Sequence, residues 1–306
     1  MRESILKVEN LTKTYKNINV LNNVNISLER GRIYGIIGQD GSGKTTLIRL
    51  ITGLCEPTFG KITLFGQSDQ KKLQGLRKRI GSIIEYPGLY PNMTAKENMK
   101  LQRIMRGVPN DEVEEELLKL VGLNDIEKKK VKNFSLGMKQ KLGIAMSLIG
   151  NPEFLILDEV MNGLDYVGII EIRKLLKKLC EEKNITILIS SHILSELYQF
   201  ATNYIIIHNG EIKEEITLKE LNEKCKKHIL LCTNEPERMV YILENFLNTK
   251  KYKVMHDKSI KLYDYLDNKE QVAKVFLDNK ILVTNLSYED DALEEYFISV
   301  IGGKNV

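Results

Sequence analysis

"RIYGIIGQDGSGKTTLIRLI", residues 32–51, holds three local patterns in sequence. A short, continuous apolar run comes first. It is followed by Gly38, Gln39, Asp40, Gly41, Ser42, Gly43, Lys44, Thr45 and Thr46, and then by Leu47, Leu50, Ile51 and Leu54 at helical spacing. Strand, glycine loop and helix form the context that the pattern G-x-x-x-x-G-K-[ST] requires. The glycines let backbone N–H groups turn inward around phosphate oxygens, and the helix N-terminus adds partial positive charge. Lys44 then reaches the β- and γ-phosphates, and the Thr45 hydroxyl ligates Mg²⁺. By itself the loop does not separate a transporter ATPase from a kinase or a GTPase.

On either side of this stretch the chain reads as α/β. "ILKVENLTKTY" and "VNISLERG" alternate like paired strands, whereas "FLILDEV", "ITILISSH" and "YIIIHNG" are short apolar runs bounded by turn residues. Such runs are typical of parallel strands buried on both faces. Met138, Leu142, Ala145 and Ile149 give a second apolar helical stripe, and Thr94 to Leu123 reads as a helical stretch whose acidic run is a solvated face. After "HNGEIKEE" the character changes. "HILLCT", "PERMVYILENFL", "YKVMHD", "SIKLYD", "NKEQVAKVFLDN" and "KILVTNLS" follow one another in the order β-α-β-β-α-β, the split βαβ or ferredoxin-like pattern. A final helix, "EDDALEEYFISVIGG", closes on two glycines. The expected division is 1–215 for a nucleotide-binding unit and 216–306 for a small α+β accessory domain.

Composition narrows the function further. In 306 residues, 45 Lys and Arg barely exceed 41 Asp and Glu, and the basic residues are scattered, so charge gives no argument for a nucleic-acid partner. Cys55, Cys180, Cys225 and Cys232 show neither C-x-x-C spacing nor a histidine pattern, which fits a reducing cytosol better than a zinc site or a disulfide framework. No apolar run approaches the roughly 18–20 residues that span a bilayer. A role at a membrane is therefore expected from outside the lipid.

"FLILDEV" specifies the chemistry. Four apolar residues carry the chain through a strand and leave Asp158 at its C-terminal end, where a carboxylate holds Mg²⁺ opposite a phosphate loop. Glu159 follows and can act as general base on an attacking water. An Asp-Glu pair is also common on surfaces, but few such pairs follow a buried strand. Upstream, "FSLGMKQK" places Ser135 and Gly137 at a helix start that reads either as a second anion site or as an ordinary N-cap.

The ordered set of phosphate loop, "FSLGM", "LDE", "NGLD" and "ISSH" resembles the ATP-binding cassette of ABC transporters over residues 5 to about 215. The resemblance implies a P-loop cassette with an antiparallel β subdomain, a parallel-sheet core and an α-helical subdomain. It further implies a homodimer formed on ATP binding, in which Ser135 and Gly137 serve the other subunit's ATP. Tyr15 would stack on adenine, Asp165 would lie in the loop crossing the dimer interface, and His192 would contact the γ-phosphate. Taken alone, Tyr15 reads as a strand-surface aromatic and His192 as a turn residue.

Three departures mark this chain. Leu136 and Met138 replace a glycine and a glutamine of the usual signature, Val160 and Tyr166 stand where prolines are usual, and Glu85 takes the place of a glutamine that couples the site to the membrane subunit. Glu85, as a carboxylate, is a candidate for both catalysis and Mg²⁺ binding. With "SLGMKQK" and "LEEYFISVIGG", it makes the chain similar to exporters of the bacitracin-resistance and lantibiotic-immunity group. The resemblance implies an ATPase peripheral to the cytoplasmic face of the cell membrane, working with separate transmembrane permease subunits to export a peptide antibiotic. The competing classes are a soluble ABC ATPase acting on ribosomes or DNA, which usually carries two cassettes or a coiled-coil insertion, and a regulator that binds ATP without hydrolysis.

Overall fold

Three of the continuous apolar runs become fully buried strands of one sheet, as two-sided burial requires. The computed structural model describes residues 3–124, 126, 128–198, 200–225, 227–290 and 293–302. It divides into two compact units, Met1–Leu218 and Lys219–Val306.

In the first unit, β1 (Ser4–Tyr15) and β2 (Ile18–Glu29) form a hairpin whose two loop residues, Lys16 and Asn17, both have positive φ, the turn geometry that matches strand twist. After β3 (Ile33–Ile37) and α1 (Lys44–Thr52), β4 (Phe59–Leu64) joins the hairpin in an antiparallel sheet ordered β2-β1-β4. α1 ends at Thr52, two residues short of the last position of its stripe. Gly53, at φ 81°, closes the helix, and Leu54 is left 68% exposed beyond it.

Next come α2 (Gln70–Leu76), β5 (Ile80–Ile83), α3 (Ala95–Arg106), α4 (Glu112–Leu120), α5 (Leu136–Leu148), β6 (Phe154–Leu157), α6 (Tyr166–Lys183), β7 (Thr186–Ser191), α7 (Leu194–Leu197), β8 (Asn203–His208) and β9 (Glu211–Thr217). The sheet order is β5-β6-β7-β3-β8-β9, parallel except for β9. Because β9 runs beside β8 as far as Thr217, the first unit ends at Leu218 rather than at 215.

The stretch Thr94 to Leu123 is helical and consists of two helices. Thr94 and Glu97 form a reciprocal cap that starts α3, and Gly107 at φ 69° ends it. The acidic run faces solvent at Glu112, Glu115 and Glu116, but Glu114 turns inward to pair with Arg103 at 2.6 Å.

The second unit contains α8 from Lys219 onward (Leu218–Lys224), β10 (Lys227–Thr233), α9 (Pro236–Asn245), β11 (Tyr252–Val254), β12 (Ile260–Leu262), α10 (Lys269–Asp278), β13 (Val283–Asp290) and α11 (Leu293–Ile301). Its antiparallel sheet is ordered β11-β12-β10-β13, the ferredoxin-like arrangement, over a core that includes Ile229, Leu231, Met239, Ile242, Ile260 and Phe276. Of the two closing glycines, Gly302 follows α11 and Gly303 lies outside the described residues.

Candidate functional site: a phosphate loop facing two carboxylates

In an open parallel sheet, ligands bind beyond the C-terminal ends of the strands. Here β3, β5, β6 and β7 end at Ile37, Ile83, Leu157 and Ser191, so Gly38, Glu85, Asp158, Glu159 and His192 all emerge at one edge. The phosphate loop is fixed there from both sides. Gly38 N–H donates to the Ser191 carbonyl, and Gly210 N–H donates to the Ser42 carbonyl. Gly43 has φ 110°, and a Cβ there would come within 2.7 Å of Leu21 Cδ2, so only glycine fits that corner.

Lys44 opens α1 and is only 4% exposed. Its ammonium donates to the carbonyls of Gly38 at 2.7 Å and Gln39 at 3.2 Å, and it lies 3.2 Å from Glu159 Oε1. A buried cation must be paired, and these acceptors set Lys44 on the inner side of the loop. One residue on, the Thr45 hydroxyl donates to Asp158 Oδ2 at 2.9 Å. Asp158 is itself 1% exposed, and its other oxygen accepts from Ser190 at 2.6 Å. Ser190 also accepts from the Glu159 N–H at 2.9 Å, so one hydroxyl holds the Asp158 carboxylate and the Glu159 backbone. Glu159 sits at φ 50°, a left-handed conformation that costs energy for a side-chain-bearing residue and is common at active sites.

His192 Nδ1 lies 3.7 Å from Glu159 Oε2, is buried and makes no hydrogen bond. Ligand atoms of Asp40, Glu159 and His192 lie within 4.8 Å of one another. Glu85 is not in that group. Its carboxylate is held by the Arg49 guanidinium on α1, and its backbone has φ 62°. Tyr15, at the tip of the first hairpin, is 44% exposed with Lys13 Nζ 4.8 Å from its ring centre. Partial desolvation pushes its phenol up, as does its hydrogen bond with Cys55, while Arg49 pulls the other way.

The remaining sequence candidates cap two helices. Ser135 caps α5 by accepting from Met138 N–H, and Asp165 caps α6 by accepting from Gly168 N–H at 2.9 Å. The Asp165 cap fixes the entry to α6 although Tyr166, not proline, begins it. Leu136 leans toward the next loop, where a Cβ on Gly163 would meet its Cδ2 at 3.2 Å. Val160 is fully buried. Among the described residues none of the four cysteines forms a disulfide, and no helix is long and apolar enough to cross a membrane.

Comparison with known proteins agrees with this geometry. A family model described as ABC transporter matches residues 21–162. The bacitracin transport ATP-binding protein BcrA of Bacillus licheniformis is 41% identical over 303 residues, 99% of each chain. The chain belongs to the ATP-binding subunits of ABC transporters. The lantibiotic transport ATP-binding protein SrtF of Streptococcus pyogenes is 45% identical over 229 residues, 74% of this chain and 98% of that protein. Among solved structures, the cassette matches the dimeric post-hydrolysis state of MJ0796 bound to ADP and Pi, with a TM-score of 0.64 and 30% identity over 70% of this chain and 98% of the other.

The motifs gave no role to Ser190 or Arg49. Ser190 lies in "ISSH", and its polar character at the end of an apolar run was the available signal.

Proposed function

We propose that the chain hydrolyses ATP to energise export of a peptide antibiotic through separate membrane-spanning subunits, from the cytoplasmic face of the membrane. The observation that carries the hydrolytic part is the pairing of Thr45 with Asp158 beside Glu159 and Lys44. The Thr45 and Asp158 oxygens are hard ligands 2.9 Å apart. A hydroxyl and a carboxylate oxygen are the ligand types Mg²⁺ takes, so Thr45 and Asp158 would hold it. When bound, Mg²⁺ neutralises charge on the β- and γ-phosphates.

The chain's own residues supply the rest. Lys44 and the loop N–H groups bind the phosphates, Tyr15 stacks on adenine, and Glu159 accepts a proton as water attacks the γ-phosphorus and the bond to the β–γ bridging oxygen breaks. His192 orients the γ-phosphate. Ser135, Gly137 and Asp165 act across a head-to-tail homodimer, a reading supported by the dimeric state of the MJ0796 cassette. The substrate class follows the transport roles of BcrA and SrtF.

Glu85 couples hydrolysis to transport. The test is Glu85→Ala, followed by phosphate release from purified protein and by bacitracin or lantibiotic resistance in cells carrying the permease. Resistance should be lost while most ATP binding remains. Unchanged resistance in that strain would remove Glu85 from coupling, and absence of Mg²⁺-dependent phosphate release from the parent protein would remove the ATPase assignment.

A further inference from the structure

The segment 84–94 leaves β5 and is held at several places, among them hydrogen bonds from Val131 and Lys132 N–H to the Met93 and Pro91 carbonyls. At its start, Tyr86 N–H donates to the Ile84 carbonyl at 2.8 Å around Glu85, which has φ 62°. A three-residue turn of that hand is rare and strained, and strain of this kind persists only where its surroundings impose it. What meets Glu85 there is Arg49. Arg49 stands four residues after Thr45 on α1, so the two share one face of the phosphate-loop helix.

Two residues further, Pro87 rests on α5: a Cβ on Gly143 would come within 2.5 Å of the Pro87 ring. Gly143 lies on the same helix that Ser135 caps. Then Asn98 of α3, fully buried, accepts from Tyr90 N–H at 2.8 Å and donates to the Tyr90 and Thr94 carbonyls. The Asn98 and Pro87 contacts seat the segment on the helical subdomain. Arg49 is its side-chain attachment to the phosphate-loop helix.

We propose that Arg49 is a positioning residue that, through Glu85, ties the phosphate-loop helix to the segment seated on the signature helix at Pro87. The pair is built for a carboxylate, since a glutamine at 85 makes no ion pair with a guanidinium. Both side chains are about half exposed, so the pair adds little to global stability and acts by fixing a position. The inference deepens the coupling role proposed for Glu85 and rests on it for its functional meaning. The attachment itself stands or falls without that role.

The experiment is amide exchange by mass spectrometry on the full-length chain without nucleotide, together with steady-state ATP hydrolysis. Arg49→Gln should speed exchange in peptides covering 84–90 by about two- to fivefold, the scale of one exposed ion pair. Arg49→Lys should keep the parental rate. Glu85→Gln should match Arg49→Gln, and the double variant should go no further, because both changes remove one interaction. In hydrolysis, Arg49→Gln should lower kcat with KM for ATP little changed.

Unchanged exchange in Arg49→Gln, or effects that add in the double variant, would overturn the proposal. A thermal midpoint measured for each variant identifies any that is misfolded, and Glu85→Gln then carries the test, since it removes only a charge. Should the parent chain fail to hydrolyse ATP while the exchange pattern holds, the functional assignment falls and the attachment remains.

Discussion

Two helix starts carry the proposed phosphate contacts, and they differ in how completely the chain encloses them. At α1 the glycine loop wraps back, Lys44 is 4% exposed, and the surrounding acceptors and carboxylates all come from the same chain. At α5 Ser135 is exposed, Leu136 is 42% exposed, and the cap is a single hydroxyl. The first start is a finished pocket. The second is an open, capped helix end, and under the proposed dimer it is the end that another subunit's nucleotide would meet. Substitutions at the two starts should therefore fail differently.

The largest effect is expected at the finished start. Lys44→Ala removes a buried cation with three acceptors and leaves Glu159 without its counter-charge, so ATP affinity measured by calorimetry should fall roughly a hundredfold or more. Affinity within a few-fold of the parent would mean that the buried ammonium serves the fold and not the phosphates. Glu159→Gln comes next. It keeps size and leaves Lys44 in place, so ATP should still bind while turnover drops about 10²- to 10⁴-fold, and gel filtration with ATP and Mg²⁺ should show a trapped dimer. Parental turnover would take the general-base role away from Glu159.

A smaller effect belongs to the open start. Ser135→Ala removes the α5 cap, which costs about 0.5–2 kcal/mol of stability. If Ser135 faces the other subunit's nucleotide, ATP affinity of the monomer should be unchanged while dimer formation in a Glu159→Gln background weakens. A parallel loss in monomer affinity would place both helix starts on one nucleotide and end the contrast.

The difference between the starts also shows how far sequence alone reaches. Periodicity reports neighbours along the chain, so the phosphate loop between an apolar run and a striped helix was legible, as were Asp158 and Glu159 after "FLIL". The partners of those carboxylates come from strand register. Leu157 pairs with Ile189, which sets Asp158 beside Ser190, and nothing in either local pattern encodes that pairing. The hold of Arg49 on Glu85 bridges residues 36 apart in sequence and depends on a left-handed turn that no glycine announces. Leu54 misleads for the opposite reason. Its spacing continues the stripe, but Gly53 has already turned the chain out of the helix.

The smallest expected effect concerns removal of the second unit. Residues 219–306 have their own antiparallel sheet and their own buried cluster around Met239, Leu243 and Phe276. The contacts that hold Gly38, Ser42 and Lys44 in the phosphate loop are all made within the first unit. Stopping the chain after Leu218 preserves β9, whose pairing with β8 runs from Glu211 to Thr217, and so should leave the parallel sheet closed. Isothermal titration of residues 1–218 with ATP is expected to give the parental dissociation constant within about twofold, since the contacts that shape the phosphate loop are kept. Limited proteolysis of the full chain should cut first near Leu218, the division between the two units. A truncated chain that stays folded by circular dichroism but no longer binds ATP would show that the second unit completes the site. The finished pocket at α1 would then be finished only in the presence of residues beyond 218.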